Sequence, residues 1–179
     1  MIQDDSIPLD LLVKLPIFEN MTATERQQLV DIATTMDFTP GEFVLRQGKS
    51  SQNLWVVLEG KCQVIKHTSH PEAEILLAEF AEFDHFGDMS FFHDAPHSAC
   101  VKATTKLRLL RIERRDYDGL ICEGSMAAYK LAYNIVDELA DRLRKMDAWV
   151  TDLLGKESPD RQASEWTRFR DKLFNGWNL

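Results

Sequence analysis

Four glycines, Gly41, Gly48, Gly60 and Gly87, punctuate the middle of this 179-residue chain, and the apolar runs between them are only of strand length. Pro40-Gly41 precedes a run from Glu42 to Arg46, Gln47-Gly48-Lys49 closes it, and Glu59-Gly60 separates Leu54-Trp55-Val56-Val57-Leu58 from Lys61 to Lys66. β-Branched and aromatic residues fill the runs, whereas turn formers fill the gaps. Thr68 to Pro71 reads as a polar hairpin loop, Glu74 to Phe80 as its returning partner, and Ser98 to Ala103 and Lys106 to Ile112 as two further strands. Short strands at regular intervals with glycine turns predict a mainly β architecture, an antiparallel double-stranded β-helix or jelly roll.

Helical signals flank this region on both sides. Leu9, Leu12, Val13, Leu15, Ile17 and Phe18 form an apolar cluster that Pro16 interrupts. Thr22 and Glu25 then match a capping box, and Leu29, Ile32, Ala33 and Met36 recur at helical spacing, so the next helix is expected to run from Thr22 to about Met36. Arg114 to Ile121 reads as a short helix, and a long one opens at Ser125 or Met126. Along it Leu131, Ile135, Leu139, Leu143, Met146, Val150 and Leu153 step by 4, 4, 4, 3, 4 and 3 residues, close to the heptad seam of paired helices. A helix of about 28 residues runs ~40 Å, longer than a small roll can cover, which predicts homodimerisation through it. Gly155 to Pro159 reads as a stop, after which Trp166, Phe169, Leu173 and Trp177 outline one more amphipathic helix, either a cover for the dimer or a docking element for an unidentified protein partner. The expected divisions are a β-roll with its entry helices over 1–124, a dimerisation helix over 125–154 and a short helix over 155–179, with no helix-turn-helix domain.

The chemistry concentrates in Phe86-Gly87-Asp88-Met89-Ser90-Phe91-Phe92-His93-Asp94-Ala95-Pro96-His97-Ser98-Ala99-Cys100-Val101. It reads as a strand end, a glycine turn, one short helical turn, a loop and a strand. Gly87 permits a backbone path that other residues resist, and the amides at the helix start that follows are free to meet an anion. The order of these residues resembles the phosphate-binding cassette of cyclic nucleotide-binding domains, worded Phe-Gly-Glu, a few apolar residues, a loop, then Arg-(Ser/Ala/Thr)-Ala and Val. The separation of ten residues from Gly87 to His97 is similar to that of protein kinase A regulatory subunits, and Gly41, Gly48 and Gly60 sit at the family's glycine spacings. Ala140-Asp141-Arg142-Leu143 likewise resembles the Ala-Arg-Arg-Leu of the dimer helix in catabolite activator proteins.

That resemblance implies a cyclic nucleotide, cyclic AMP or cyclic GMP, as ligand. Gly87, Met89 and Ser90 with Ser98 and Ala99 would hold the phosphate, and Asp88 stands where the family's Glu takes the ribose 2′-hydroxyl. His97 occupies the place of the Arg that pairs with the phosphate, and Met146 and Asp147 would face the base, where relatives use hydroxyl residues. The substitutions are unequal: Asp88 keeps its charge on a shorter side chain, whereas His97, with an ordinary pKa near ~6.5, replaces a permanent planar cation.

Composition narrows the alternatives. Lys and Arg total 21 against 29 Asp and Glu, and the net charge of −8 opposes adhesion to DNA or to an anionic membrane. Cys62, Cys100 and Cys122 lack the spacing of a metal site or disulfide framework and read as reduced residues of a cytoplasmic protein. No apolar run approaches the ~18 residues of a membrane span. The carboxylates and imidazoles of Asp84, His85, Asp88, His93, Asp94 and His97 read as a polar surface loop rather than a metal site, since Pro96 breaks a shared helical face. No nucleophile elbow, P-loop or paired zinc motif supports an enzyme. The sequence thus describes a cyclic nucleotide-binding-like sensor with a degenerate cassette, set against a ligand-free homodimeric interaction module that keeps the fold.

Overall fold

The computed structural model describes residues 12–68 and 74–155, with side chains as far as 152. A one-turn 3-10 helix, Pro16–Phe18, precedes α1 (Ala23–Asp31), whose first turn closes the expected capping box: Glu25 N donates to Thr22 Oγ1 at 3.2 Å and Thr22 N to Glu25 Oε2 at 2.6 Å. Eight strands and three further helices follow. They are β1 (Ala33–Phe38), β2 (Phe43–Leu45), β3 (Asn53–Glu59), β4 (Cys62–His67), β5 (Glu74–Phe80), β6 (His85–Phe86), α2 (Asp88–Phe92), β7 (Cys100–Ala103), β8 (Leu107–Glu113), α3 (Arg114–Cys122) and α4 (Met126–Gly155).

The strands make two four-stranded sheets, ordered β1-β8-β3-β6 and β2-β7-β4-β5, with every pairing antiparallel. This is the expected roll. Leu45, Trp55, Val57, Cys62, Phe86, Val101, Ala103, Leu107 and Leu109 form its buried centre, drawn from both sheets. Phe38, Trp55, Phe86 and Phe80 line up through it, Trp55 stacked on Phe86 at 6.3 Å and Phe86 on Phe80 at 5.7 Å. On the other face of the first sheet, Leu54, Val56, Leu110 and Ile112 are also fully buried, so β3 and β8 are apolar on both sides and lack the alternation of a half-exposed strand. Gly60 makes the β3–β4 turn at φ +90°, where a Cβ would collide with the carbonyl of Lys106.

One expectation fails at the first strand. The helical spacing drawn through Ile32, Ala33 and Met36 stops being helical at Asp31, and Ala33–Phe38 pairs along its whole length with β8. Thr34 and Thr35 are β-branched and favour the extended chain. A sheet edge awaiting a partner decided the matter, and three coincident apolar positions could not.

Contacts divide the chain into two units, Met1–Ile135 and Val136–Leu179. Within the first, the start of α4 is anchored by specific bonds. Lys130 Nζ donates to Asn20 O at 2.8 Å and lies 2.8 Å from the Glu25 carboxylate, while Asn134 Nδ2 donates to the carbonyls of Ile17 and Glu19. Lys130 first, and the Thr22 amide second, hold the Glu25 carboxyl below its usual range. Leu131 and Ile135 are fully buried here, so the first two positions of the expected seam belong to the core of their own unit. In the second unit Leu139 is half-buried, whereas Val136, Leu143, Met146 and Trp149 are exposed. The amphipathic pattern over Trp166–Trp177 lies outside the described residues.

Among the described residues no helix is long and apolar enough to cross a membrane. Cys62 and Cys100 are buried, Cys122 is exposed and all three are free; burial, with Asp84 secondary, pushes the Cys62 thiol up to about 12.

Candidate functional site

The site begins where β6 ends. Two residues of β6 pair with β3, Phe86 opposite Trp55 and His85 opposite Val56, which delivers the chain to Gly87 at the mouth of the roll's aromatic core. Gly87 adopts φ +86° and ψ −3°, and a Cβ on it would overlap the Asn53 carbonyl and press within 3.2 Å of Trp55 Cδ1. Both the left-handed backbone and the close approach of β3 therefore require glycine. Its carbonyl starts α2 by accepting from Phe91 N at 2.9 Å and from Ser90 Oγ at 3.2 Å.

The side chains that follow divide sharply. Met89 is 67% exposed, while Ser90 is buried with its hydroxyl spent on the Gly87 carbonyl. Asp88 is 5% exposed; its Oδ1 accepts from Met89 N at 2.8 Å and its Oδ2 lies 3.5 Å from Nε2 of His85, itself 4% exposed. The carboxylate expected to reach a ligand thus points into the fold.

The far end of the cassette is held by the β2–β3 turn. His97 N donates to Lys49 O at 2.8 Å, Gly48 N donates to His97 O at 2.9 Å, and Gln47 N donates to Cys100 Sγ at 3.2 Å. The His97 ring is 8% exposed and shares a 2.9 Å hydrogen bond between Nε2 and Ser51 Oγ; burial lowers its pKa below the ordinary 6.5, so the ring is neutral at pH 7. Ser98 is exposed and Ala99 buried as the chain enters β7.

The polar-loop reading of this segment is therefore half right. His93 and Asp94 are exposed, but His85, Asp88 and His97 are buried and engaged, and among the described residues no group of three metal-ligating side chains forms. Sequence reasoning missed the two partners that matter, His85 and Ser51. The signal available for His85 was its place two residues before Gly87 in a strand that enters the core; Ser51, 46 residues from His97, left none. Met146 and Asp147 belong to the Val136–Leu179 unit and are exposed there.

Where the entry to β3 meets the start of α3 lies an open pocket of about 430 Å³ lined by Gln52, Asn53, Glu113, Arg114, Arg115 and Asp118. Arg114 organises its wall: Nε pairs with Asp118 at 2.7 Å, Nη1 donates to the Phe91 carbonyl at 3.0 Å, and the guanidinium lies over Phe91, Phe92 and Tyr117 at 5.8 to 5.9 Å. The end of α2 is thereby tied to the start of α3.

The site is thus a β-roll with a glycine-initiated turn at one end of the cassette and a return strand clamped by the β2–β3 turn at the other. Residues 35–123 match the family described as the cyclic nucleotide-binding domain, and through them the chain belongs to that family. Among curated relatives, the cAMP-dependent protein kinase regulatory subunit of Schizosaccharomyces pombe is 24% identical over 111 residues, which cover 62% of this chain and 26% of the relative. The chain thus spans about a quarter of that protein's length. Among solved structures, the catabolite activator protein of Thermus thermophilus is 27% identical with a TM-score of 0.70, covering 77% of this chain and 62% of that one. The regulatory domain of Toxoplasma gondii protein kinase A, solved with cAMP, shares the fold at 23% identity and a TM-score of 0.62, over 76% of this chain and 48% of that one.

Proposed function

We propose that the protein is a regulatory, non-catalytic sensor whose cassette takes a phosphate-bearing nucleotide, with cyclic AMP and cyclic GMP as the leading ligands. The observation that carries this reading is Gly87, held in the left-handed region against β3 by contacts no other residue could make, inside a domain of the cyclic nucleotide-binding family. Backbone amides of the turn from Gly87 to Ser90, other than that of Met89, which Asp88 holds, would meet one side of the phosphate, and Ser98 and Ala99 the other. His97 would take the place of the family's Arg after exchanging Ser51 for the phosphate. A neutral imidazole in place of a guanidinium forfeits a charge-assisted bond of ~1.5 to 3 kcal/mol, roughly ten- to a hundredfold in affinity.

A homodimer completes the proposal. Val136, Leu143, Met146 and Trp149 are between 52% and 62% exposed on α4, an apolar face that a second copy would cover.

Calorimetric titration with cyclic AMP, cyclic GMP and a non-cyclic nucleotide tests the reading. Heat of binding for a cyclic nucleotide, weaker than is usual for a cassette with Arg, is the expected result. Silence with all three ligands would leave a ligand-free dimeric interaction module that retains the fold.

A further inference from the structure

We infer that Asp88 is a structural carboxylate, locked into the roll by His85, and that this cassette recognises its ligand without reading the ribose 2′-hydroxyl. The inference rests on the nucleotide-binding reading for its ligand and on the contacts of Asp88 for its mechanism.

A carboxylate that selects for a hydroxyl must present an oxygen to the ligand. Asp88 presents almost nothing: it is 5% exposed, Oδ1 accepts the Met89 amide at 2.8 Å and Oδ2 faces His85 Nε2 at 3.5 Å. His85 cannot follow the carboxylate outward, because it lies in β6, opposite Val56, with 4% of its surface exposed. Turning Asp88 toward a ligand would give up the Met89 bond at the first turn of α2 and leave a buried imidazole without this partner, and both losses oppose the movement. The side chain is also one methylene shorter than Glu, so an oxygen released from His85 would still reach less far. Phosphate recognition through the remaining amides of the turn survives all of this; sugar recognition through this position does not.

Two measurements decide the matter. The first titrates the unaltered protein with cyclic AMP and 2′-deoxy-cyclic AMP. The two should bind within about threefold of each other, whereas a carboxylate that accepted the 2′-hydroxyl would separate them by about tenfold or more, the usual worth of a hydrogen bond to a charged group. The second compares melting of the unaltered protein, without nucleotide, with that of Asp88→Asn, which keeps one acceptor oxygen for the Met89 amide but removes the negative charge and puts an amide donor toward His85. A structural carboxylate predicts a melting temperature several degrees lower, or a variant that does not fold; a ligand-reading one predicts no change. Tenfold preference for cyclic AMP over its deoxy form, or unchanged melting of Asp88→Asn, overturns the inference. Should neither nucleotide bind, the cyclic nucleotide reading fails and the melting comparison still decides the role of Asp88.

Discussion

At the scale of single residues, the polar side chains of Asp88 and His97 are engaged in internal contacts, and His97 shows the consequence most directly. Its ring is neutral in the fold because burial lowers its pKa below 6.5, while the unfolded chain protonates near that value. The unfolded state therefore binds more protons in the window just below pH 6.5, and the stability His97 contributes at higher pH is lost as pH falls from 6.5 to its folded pKa. Melting at pH 7.5 and 5.5 should show this decline, and His97→Gln should reduce it. Ligand binding reverses the sign. A phosphate beside the ring favours the imidazolium, so binding takes up a proton and affinity should weaken from about pH 6 to 8. His97→Arg should bind cyclic nucleotide about ten- to a hundredfold more tightly, with that dependence flattened; equal affinity at every pH would refute His97 as the phosphate partner. Gly87 supplies a simpler test. Gly87→Ala puts a Cβ into the Asn53 carbonyl at a left-handed φ, and should cost at least ~2 kcal/mol, a melting shift of roughly 4–8 °C.

At the scale of elements, the long helix has two characters. As far as Ile135 it is a wall of its own unit, with Leu131 and Ile135 fully buried and Lys130 and Asn134 bonded to the entry segment. From Val136 onward its large apolar side chains are mostly exposed. Val136 and Leu143 are one heptad apart and so share a face. Val136→Asp with Leu143→Asp would place charge in any interface built on that face and should give monomers by sedimentation, with an unchanged melting temperature for the roll. A double variant that remains dimeric removes this helix as the dimer contact.

At the scale of the whole molecule, the net charge of −8 weighs against DNA as a partner. Phosphate contacts dominate affinity for DNA, and a chain this acidic starts with the field against it. The pure protein should therefore show no salt-sensitive retention on duplex DNA at physiological ionic strength; retention that falls as salt rises would contradict the proposal. A small anionic ligand escapes this penalty, because a cradle of oriented amides acts at contact distance while the net field is screened beyond ~10 Å.

Much of the roll could be read directly from the residues. Strand ends expected at Arg46, Leu58 and Phe80 fall at Leu45, Glu59 and Phe80, and these, with the Thr22–Glu25 cap and the turn at Gly87, are local events, set by φ preference, side-chain branching and a hydrogen bond spanning three residues. The cassette's position was legible for the same reason. Three matters belonged to the tertiary structure alone. Ala33–Phe38 became a strand because β8 offered it partners 69 to 79 residues away. Leu131 and Ile135 turned inward because the entry helices required a wall, which a repeat of three and four along the chain cannot distinguish from a dimer seam. Finally, His85 took Asp88 and Ser51 took His97, moving two polar side chains that read as ligand-facing into the interior. Composition and spacing determine which groups a chain carries and what its backbone does nearby; which of those groups meets solvent depends on contacts between distant segments, and these exist only once the chain is folded.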